Sequence, residues 1–309
     1  MSLKNLKGRD LLNLQEFKPW ELEGLLKLAS EFKRGLLHRS GLTGKVIGLI
    51  FEKPSTRTRV SIEVAVNKLG GSSIYMAGED LQLGRREPIE DTARVLDRYL
   101  DCIVARVYSH NVLVKLAEYS SIPVINALSD LSHPLQALAD LLTIWERTGN
   151  LKGVKIAYIG DGNNVCNSLL IGCSKLGASL TVACPEGYEP NHEFLEWAKC
   201  NASQSGSEIK VLRNPIEAVK GADFIYTDVF VSMGFESERE IRLKKFLPKY
   251  SVTSELLQSA GKQAYLMHPL PCHRGEEVEA SAIEGPHSIV WDQAENRLYT
   301  AEAVLATLV

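Results

Sequence analysis

The sequence lacks the features that would place the protein at a membrane, on nucleic acid or around a structural metal. None of its apolar runs approaches the roughly 20 residues that span a bilayer. Its net charge of −3 gives no reason to expect nucleic acid or an anionic membrane as a partner. The six cysteines form no CxxC pair and the seven histidines show no HExxH or paired spacing, so no metal site is expected. The first ten residues lack the apolar core of a signal peptide, which makes the cytosol the expected location.

The length and the pattern of elements predict two α/β domains. At 309 residues the chain is too long for most single hydrophobic cores. Strand-like and helix-like runs alternate, stop near residues 147–152 and start again, so we expect two doubly wound parallel-sheet domains with the active site in the cleft between them. The predicted domains are 1–147 and 148–290, followed by a C-terminal segment, 291–309, that ends in a helix. The predicted strands are 46–50, 73–77, 102–107, 123–127, 155–159, 180–184, 223–227, 264–268 and 288–292, and the predicted helices include 60–69, 89–100, 112–119, 134–147, 164–176 and 301–308.

The segment Ser55-Thr56-Arg57-Thr58-Arg59 has the composition of an anion site. It lies between a predicted buried strand and a predicted helix, so its hydroxyl, guanidinium and backbone N–H groups gather at a helix N-terminus. There the helix dipole favours negative charge, and an arginine side chain fits a pair of phosphate oxygens. The segment therefore predicts phosphate binding. The alternative is a Ser/Thr cap followed by two solvated arginines.

The long helix of the first half opens with His133-Pro134-Leu135-Gln136. A helix N-terminus lowers the pKa of an imidazole, and a neutral histidine can donate a hydrogen bond to a carbonyl oxygen without competing for its proton. The alternative is a helix-capping histidine beside a surface glutamine. Arg106 lies near the end of another predicted strand, where the ligands of parallel sheets collect.

In the second half, Gly160-Asp161-Gly162-Asn163-Asn164 follows a strand and opens a helix, as a dinucleotide-binding loop does. The third glycine of that fingerprint is replaced by Val165, and Cys184-Pro185 rather than an acidic residue ends the next strand. These departures argue against a nicotinamide cofactor. The paired asparagines are better suited to a small polar ligand.

Two further strand ends of the second half carry polar groups. Asp228 could hold an ammonium group, or it could cap a turn. The segment His268-Pro269-Leu270-Pro271 leaves outward carbonyls that suit an amine or amide NH₂ group, or it simply terminates a strand. The first half therefore presents cations and hydroxyls, whereas the second presents amides and a carboxylate. This contrast indicates two different substrates.

Taken together, these motifs resemble the aspartate/ornithine carbamoyltransferase family over almost the full chain. Ser55 to Arg59 is similar to the family's carbamoyl phosphate motif, and the segments at 133–136 and 268–271 match its other two markers in order and spacing. The segments that match the ornithine branch are 160–164, 228–234 and 292–297.

The resemblance implies a role for each matching residue. Arg106, His133 and Thr58 would be catalytic, because they would stabilise the oxyanion during direct attack of a neutral amine on the carbonyl carbon. Carbamoyl phosphate would be held by Ser55, Thr56, Arg57, Thr58, Gln82, Arg106, His133, Gln136, the Leu270 carbonyl and Arg297, and the amino-acid end of ornithine by Asn164, Asp228, Ser232 and Met233.

The resemblance also implies the partners of the protein. Residues 1–147 would bind carbamoyl phosphate, residues 148–290 would bind L-ornithine, and the helix of 291–309 would return to the first domain. Gln82 would reach the site of a neighbouring subunit, which implies a homotrimer or a multiple of trimers with shared active sites. The products would be L-citrulline and phosphate, and no metal or organic cofactor would be needed.

The choice of amine depends on a few residues. Asp228 favours ornithine, because aspartate would need more cations and because putrescine and N-acylated ornithine lack a free α-ammonium. Leu135 and Pro269 stand where the ornithine branch has cysteine, and Cys272 lies three residues beyond Pro269. We therefore expect reduced or altered amine affinity with the chemistry retained. The alternatives are transfer to another amine, a catalytically silent family member and, at a distance, a nicotinamide oxidoreductase.

Overall fold

The computed structural model describes residues 3–37, 40–81, 87–232 and 234–309. The chain divides into two α/β units, each built on its own parallel sheet. Unit 1 comprises Met1–Leu142 together with Asn296–Val309, and unit 2 comprises Thr143–Glu295. The predicted class, two domains with helix-flanked parallel sheets, is confirmed. Within the described ranges, no helix combines the length and the apolar character needed to cross a bilayer.

The sheet of unit 1 consists of β1 (Val46–Phe51), β2 (Ser72–Ala77), β3 (Cys102–Arg106) and β4 (Val124–Leu128). The strands are parallel and lie in the order β2-β1-β3-β4. Every residue of β3 is buried, as expected of a central strand covered on both faces. The strand order reverses between β1 and β3, whose ends pair through Phe51 and Arg106. Such a switch point opens a crevice at the carboxyl ends of the two strands.

The core of unit 1 forms where helices pack on this sheet. Ile50 and Ile103 from the sheet join Leu96, Leu113 and Leu116 in one buried cluster. The last of the first six helices begins directly after His133, with proline at its first position. The helices are α1 (Pro19–Lys33), α2 (Thr56–Lys68), α3 (Gly78–Leu81), α4 (Ile89–Leu96), α5 (His110–Glu118) and α6 (Pro134–Thr148).

The sheet of unit 2 consists of β5 (Lys155–Ile159), β6 (Ser179–Ala183), β7 (Ile209–Leu212), β8 (Phe224–Thr227) and β9 (Tyr265–Met267). These parallel strands lie in the order β7-β6-β5-β8-β9. The order reverses between β5 and β8, whose ends pair through Ile159 and Thr227. The crevice expected at this second switch point receives the segments that follow β5 and β8.

An aromatic cluster fixes the helix that follows the β8 loop. Phe230 and Phe246 stack with ring centres 4.6 Å apart, and Tyr188 meets Phe246 edge-on at 4.9 Å. Aromatic pairs in these geometries contribute about 0.5–1.5 kcal/mol beyond the area that they bury. The remaining helices are α7 (Asn164–Leu176), α8 (His192–Ser205), α9 (Pro215–Val219), α10 (Arg239–Phe246), α11 (Ser254–Gln258), α12 (Ala280–Ile283) and α13 (Val290–Leu308).

The predicted strand at 288–292 is wrong. Only Ser288 forms an isolated parallel bridge, to Leu266, and α13 begins at Val290. Ile289 and Val290 are buried at the start of the helix, as they would be in a strand. A short apolar run does not distinguish the two-residue period of a strand from the 3.6-residue period of a helix. The predicted closing helix at 301–308 therefore extends back to Val290.

The sequence analysis also missed β7 at the edge of the second sheet. Three of its four residues are partly buried and Lys210 is exposed, so it lacks the apolar run that marks the inner strands. The two units are divided at 142/143 and at 295/296, that is, within α6 and within α13. The predicted functional boundaries at residues 147 and 290 stay a prediction.

Candidate active site

The predicted anion segment forms the turn from β1 into α2. Ser55 is the N-cap of α2, and its Oγ accepts a hydrogen bond from Thr58 N at 3.3 Å. The helix begins at Thr56, earlier than the predicted residue 60, so Thr56 and Arg57 belong to its first turn. The positive end of the helix dipole therefore lies at the motif. The segment has the backbone geometry that favours an anion.

Arg297 on α13 links two of the predicted site residues. Its Nη1 donates to Gln136 Oε1 at 2.5 Å, and its Nη2 donates to Thr58 Oγ1 at 3.2 Å. Gln136 in turn donates to Asp140 Oδ1 at 2.8 Å. All four side chains are buried. Unit 1 thus brings together residues that the sequence separates by 161 and 239 positions.

Arg106 presents a buried guanidinium at the end of β3. The residue is only 5 % exposed, and its side chain has no hydrogen-bond or ion-pair partner in the part of the chain that the structure describes. Burial, together with repulsion from Arg297 and Arg57, lowers the pKa of Arg106 to about 10. A buried cation without a counter-charge is unfavourable, so this arrangement favours the binding of an anion.

His133 lies immediately before α6 and is buried. Its pKa is well below the ordinary value, first because burial disfavours the charged ring and then because Arg297 and Arg106 repel a proton. The predicted direction of the shift is confirmed, but its main cause is burial rather than the helix end. The imidazole is neutral and can donate a hydrogen bond.

Lys53 is a buried cation that the sequence analysis did not select. The residue is 7 % exposed, and its Nζ lies 4.4 Å from the ring centre of Tyr108. The sequence signal that could have identified it is its position two residues before Ser55, beside the predicted anion segment. A buried lysine normally has a partner, and a bound anion would be one.

In unit 2, Asn163 and Asp228 meet at the carboxyl ends of β5 and β8. Asn163 caps α7 through its Oδ1 and donates from Nδ2 to Asp228 Oδ2 at 2.8 Å. Burial raises the pKa of the Asp228 carboxyl, whereas His268 and Asn163 oppose the rise. Among the described residues no cationic side chain forms an ion pair with Asp228. A ligand ammonium would supply the missing positive charge.

A second carboxylate at this edge already has a cation. Asp161 Oδ2 accepts a hydrogen bond from Arg242 Nη1 at 2.7 Å, and both side chains are largely buried. Burial raises the pKa of Asp161 to about 6, and Arg242 opposes that rise. Neither Arg242 nor the pairing was predicted, because the partners lie 81 positions apart in the sequence.

Gly162 has a packing role in this loop. A Cβ there would lie 2.2 Å from Pro190 N, and Gly162 N donates to Tyr188 O at 2.9 Å. The loop therefore packs directly on residues 188–190. This close approach of two backbone segments accounts for the glycine by packing.

The segment after β9 is held by a buried histidine and a buried glutamate. Leu270 N donates to His268 Nδ1 at 2.9 Å, so His268 Nε2 carries the proton and donates to Glu277 Oε1 at 3.1 Å. Leu270 adopts φ 57°, which is uncommon for a residue other than glycine. The relay from Glu277 through His268 to Leu270 fixes this backbone conformation.

Cys272 has its own partner in this region. Arg274 Nη1 donates to Cys272 Sγ at 3.6 Å, and burial raises the pKa of the thiol. The side chain packs against the core of unit 2. Cys272 is therefore a protonated, packed thiol rather than a reactive one.

Three groups beyond this segment have the chemistry of metal ligands. Single atoms of His273, Glu276 and Glu277 lie within 4.8 Å of one another. Glu276 is paired with Arg239, however, and Glu277 accepts hydrogen bonds from His268 and from His273 N at 2.5 Å. Their existing partners account for the cluster.

The remaining predicted residues fall in different places. Asn164 is the first residue of α7, and Ser232 is partly buried in the loop after β8, where its carbonyl accepts from Phe235 N at 3.0 Å. Leu135 is buried at the start of α6. Gln82 and Met233, predicted for the two substrates, lie outside the described residues.

Comparison with known proteins identifies the family of the two units. Residues 9–146 match the family "Aspartate/ornithine carbamoyltransferase, carbamoyl-P binding domain", and residues 152–308 match "Aspartate/ornithine carbamoyltransferase, Asp/Orn binding domain". The two-domain fold thus coincides with that of a known class of transferase. The chain belongs to the aspartate/ornithine carbamoyltransferase family, and the resemblance inferred from the motifs is confirmed.

Individual relatives match over nearly their whole length. An ornithine carbamoyltransferase of Pyrococcus horikoshii is 55% identical over 308 residues, which cover 98% of this chain and 96% of the relative. The solved ornithine carbamoyltransferase of Pyrococcus furiosus has a TM-score of 0.95 at 53% identity, over 98% of this chain and 97% of that chain. That of Thermus thermophilus has a TM-score of 0.87 at 44% identity, over 96% of this chain and 98% of that chain.

Proposed function

We propose that this protein transfers the carbamoyl group of carbamoyl phosphate to the δ-amine of L-ornithine, which gives L-citrulline and phosphate. The observation that carries the proposal is the buried guanidinium of Arg106, which has no partner among the described residues and lies near Arg297 and neutral His133. A dianionic phosphate next to a polar carbonyl would compensate this excess of positive charge. The similarity to proteins named ornithine carbamoyltransferase supports the choice of reaction.

The reaction is a direct displacement in our proposal. The neutral δ-amine attacks the carbonyl carbon, the new C–N bond forms as the bond from carbon to the phosphate oxygen breaks, and the amine proton ends on the departing phosphate. Arg106, His133 and Thr58 donate hydrogen bonds to the developing oxyanion. Because His133 is neutral, it donates a hydrogen bond without giving up its proton.

In our proposal, hydroxyl, guanidinium and backbone N–H groups at the crevice of unit 1 bind carbamoyl phosphate. The phosphate takes the N-terminus of α2 with Ser55, Thr56 and Arg57, while Arg297 supports Thr58 and Gln136 through its two hydrogen bonds. Gln136 and the Leu270 carbonyl are proposed for the carbamoyl NH₂ group. Gln82 is proposed to complete the site of a neighbouring subunit.

Ornithine is the proposed acceptor because unit 2 offers a buried carboxylate and amides. Asp228 would pair with the α-ammonium, and Asn164, Ser232 and Met233 would complete the amino-acid site. Aspartate would bring a second carboxylate toward Asp228 and Asp161, and like charges at short range are unfavourable. One relative, 54% identical, is named an anabolic ornithine carbamoyltransferase, which supports the citrulline-forming direction.

A carbamoylation assay with a panel of amines tests the proposal. Carbamoyl phosphate is supplied with ornithine, aspartate, putrescine, N-acetylornithine or lysine, and the carbamoylated product and phosphate are measured. We expect efficient citrulline formation and weak turnover of the others. Absence of all turnover would favour a catalytically silent binding or regulatory protein instead.

A different amine is the second candidate, and Pro269 is the observation that favours it. With proline at position 269, no thiol is present next to Leu270. The thiol of Cys272 is already packed and hydrogen-bonded. We expect Pro269→Cys to lower the KM for ornithine. A normal ornithine KM that does not change in Pro269→Cys would remove this candidate.

Three finer points belong to the same proposal. Carbamoyl phosphate binds first and the amine second, which product-inhibition patterns of the random type would contradict. The protein assembles as a homotrimer or a multiple of trimers, which sedimentation or light scattering measures. It acts in the cytosol without a metal or organic cofactor.

A further inference from the structure

Arg242 is a largely buried charged side chain of unit 2 that bonds to three separate segments. Its Nη1 donates to Asp161 Oδ2 at 2.7 Å and to Phe230 O at 3.2 Å, and its Nε donates to Glu238 Oε2 at 3.0 Å. Its side chain is 8% exposed. One guanidinium therefore joins the end of β5 to both sides of the loop that connects β8 to α10.

Two aromatic rings lie against the same guanidinium. Its central carbon lies 4.4 Å from the ring centre of Phe235 and 5.1 Å from that of Tyr188. Phe235 N also donates to Ser232 O at 3.0 Å. Arg242 thus contacts Phe235, whose backbone N–H binds the carbonyl of Ser232. It also binds the carbonyl of Phe230, two residues after Asp228. A planar fork with five donors can do this, whereas a lysine ammonium cannot.

The charges explain why the carboxylate of Asp161 does not compete with Asp228. The negative charges of Asp228 and Glu238 disfavour ionisation of Asp161. Arg242 compensates Asp161 internally. Among the described residues, the hydrogen-bond donors to the Asp228 carboxylate are neutral: Asn163 Nδ2 and the backbone N–H of Val229. The division leaves one carboxylate for structure and the other for a ligand.

The geometry points to Arg242 as a positioning residue for the amino-acid site, one that sets the placement of Ser232 and Asp228 by tying their loop to Asp161 without touching the substrate. The inference rests on the proposed function, because the ligand so positioned is ornithine. Removal of this tie should weaken the binding of ornithine and leave the binding of carbamoyl phosphate unchanged.

The variants Arg242→Gln, Arg242→Lys and Asp161→Asn test this role. For Arg242→Gln we expect the ornithine KM to rise about ten-fold or more, with kcat and the carbamoyl phosphate KM within about two-fold, as lost uniform binding predicts. Arg242→Lys retains the charge but loses the fork and the stacking, so it should restore part of the affinity. The double variant Arg242→Gln/Asp161→Asn should resemble the single variants, because paired residues act as one unit.

Arg239→Gln is the matched control on the same helix. Arg239 pairs with Glu276, its side chain is 47% exposed, and its loss should leave both KM values within about two-fold. If Arg242→Gln only lowers the melting temperature and leaves the ornithine KM unchanged, or raises both KM values equally, Arg242 is a structural residue and the inference is wrong.

Limited proteolysis supplies a readout that does not depend on turnover. A glutamyl endopeptidase cleaves after Glu236 and Glu238, and we expect Arg242→Gln to be cleaved there several-fold faster than the wild type or Arg239→Gln. Wild-type protein that fails to carbamoylate ornithine would overturn the proposed function, whatever the cleavage rates are. Active wild type with unchanged KM and unchanged cleavage in Arg242→Gln would overturn the positioning role alone.

Discussion

The two units bury charges of opposite sign at equivalent places in their sheets. At the switch point of unit 1, burial lowers the pKa of Arg106 to about 10 and holds His133 neutral. At the switch point of unit 2, burial raises the pKa of Asp161 to about 6 and raises that of Asp228. In each case burial shifts the pKa toward the neutral form of the side chain. The missing counter-charge is an anion in unit 1 and a cation in unit 2.

The units also differ in the partners of the arginine that lies beside each group of buried charges. In unit 1 the supporting arginine, Arg297, donates to two neutral groups, the Thr58 hydroxyl and the Gln136 amide oxygen. In unit 2 the supporting arginine, Arg242, pairs directly with the carboxylate of Asp161. The first arrangement leaves positive charge for a phosphate donor. The second neutralises one carboxylate and reserves the other, Asp228, for an ammonium.

Removal of Arg106 should have the largest effect. In Arg106→Gln we expect kcat to fall by about 10²–10³, because one preorganised donor to the oxyanion is lost. Steady-state kinetics with carbamoyl phosphate and ornithine provide the measurement. Arg94→Gln, which removes a 59% exposed side chain of the same unit, is the control. A fall of less than ten-fold would show that the cation cluster does not stabilise the transition state.

Removal of the Asp228 charge should be the next largest effect and should be confined to the amine. We expect Asp228→Asn to lower kcat/KM for ornithine by about 30-fold or more, the size found when one member of a buried hydrogen-bonded charge pair is truncated. Residual turnover of putrescine, which has no α-ammonium, should change little. An equal loss for both amines would mean that Asp228 supports the loop rather than the ligand.

The neutral state of His133 is a smaller effect that pH exposes. Because its folded pKa lies below the unfolded value of about 6.5, the unfolded chain takes up the proton first. The free energy of unfolding should therefore decrease as the pH falls below about 6.5, and His133→Asn should reduce that decrease. Denaturant titrations at pH 7.5 and 5.5 measure it. Carbamoyl phosphate should raise the pKa of the ring, which histidine NMR signals would report.

Local patterns predicted most of the fold and many of the residues placed at the two crevices. The helix Asn164–Leu176 and the strand Lys155–Ile159 begin and end where the sequence analysis placed them, since caps and apolar runs mark both. The strand predicted at 288–292 failed because its apolar run is too short to distinguish the two periods. The place of Arg106 at the end of β3 followed from the strand pattern, whereas the start of α2 at Thr56, four residues before the predicted start, did not.

Long-range pairing was not visible in the sequence. Arg242 belongs to a charged run, residues 236–242, that resembles a solvated helix face, yet its side chain is buried against Asp161 and two aromatic rings. Likewise, the sequence did not show that burial is the main cause of the lowered pKa of His133, because burial depends on the packing of distant segments. Partners at separations of 81 or more positions are chosen by packing, which no local pattern specifies.

The smallest predicted effect is the acid sensitivity of the amino-acid site. With a pKa of about 6, Asp161 is ionised in about nine molecules of ten at pH 7 and in about one of four at pH 5.5. Protonation weakens its bond to Arg242, while Asp228 and Glu238 are the other charged groups that face it. L-Norvaline has ornithine's amino-acid end but no δ-amine, so its affinity reports this site without amine titration. We expect its binding, in the presence of carbamoyl phosphate, to weaken about four-fold between these pH values in the wild type and to stay flat in Asp161→Asn. Equal pH dependence in both proteins would show that Asp161 does not govern the site, and the contrast between a compensated and a reserved carboxylate would then fail.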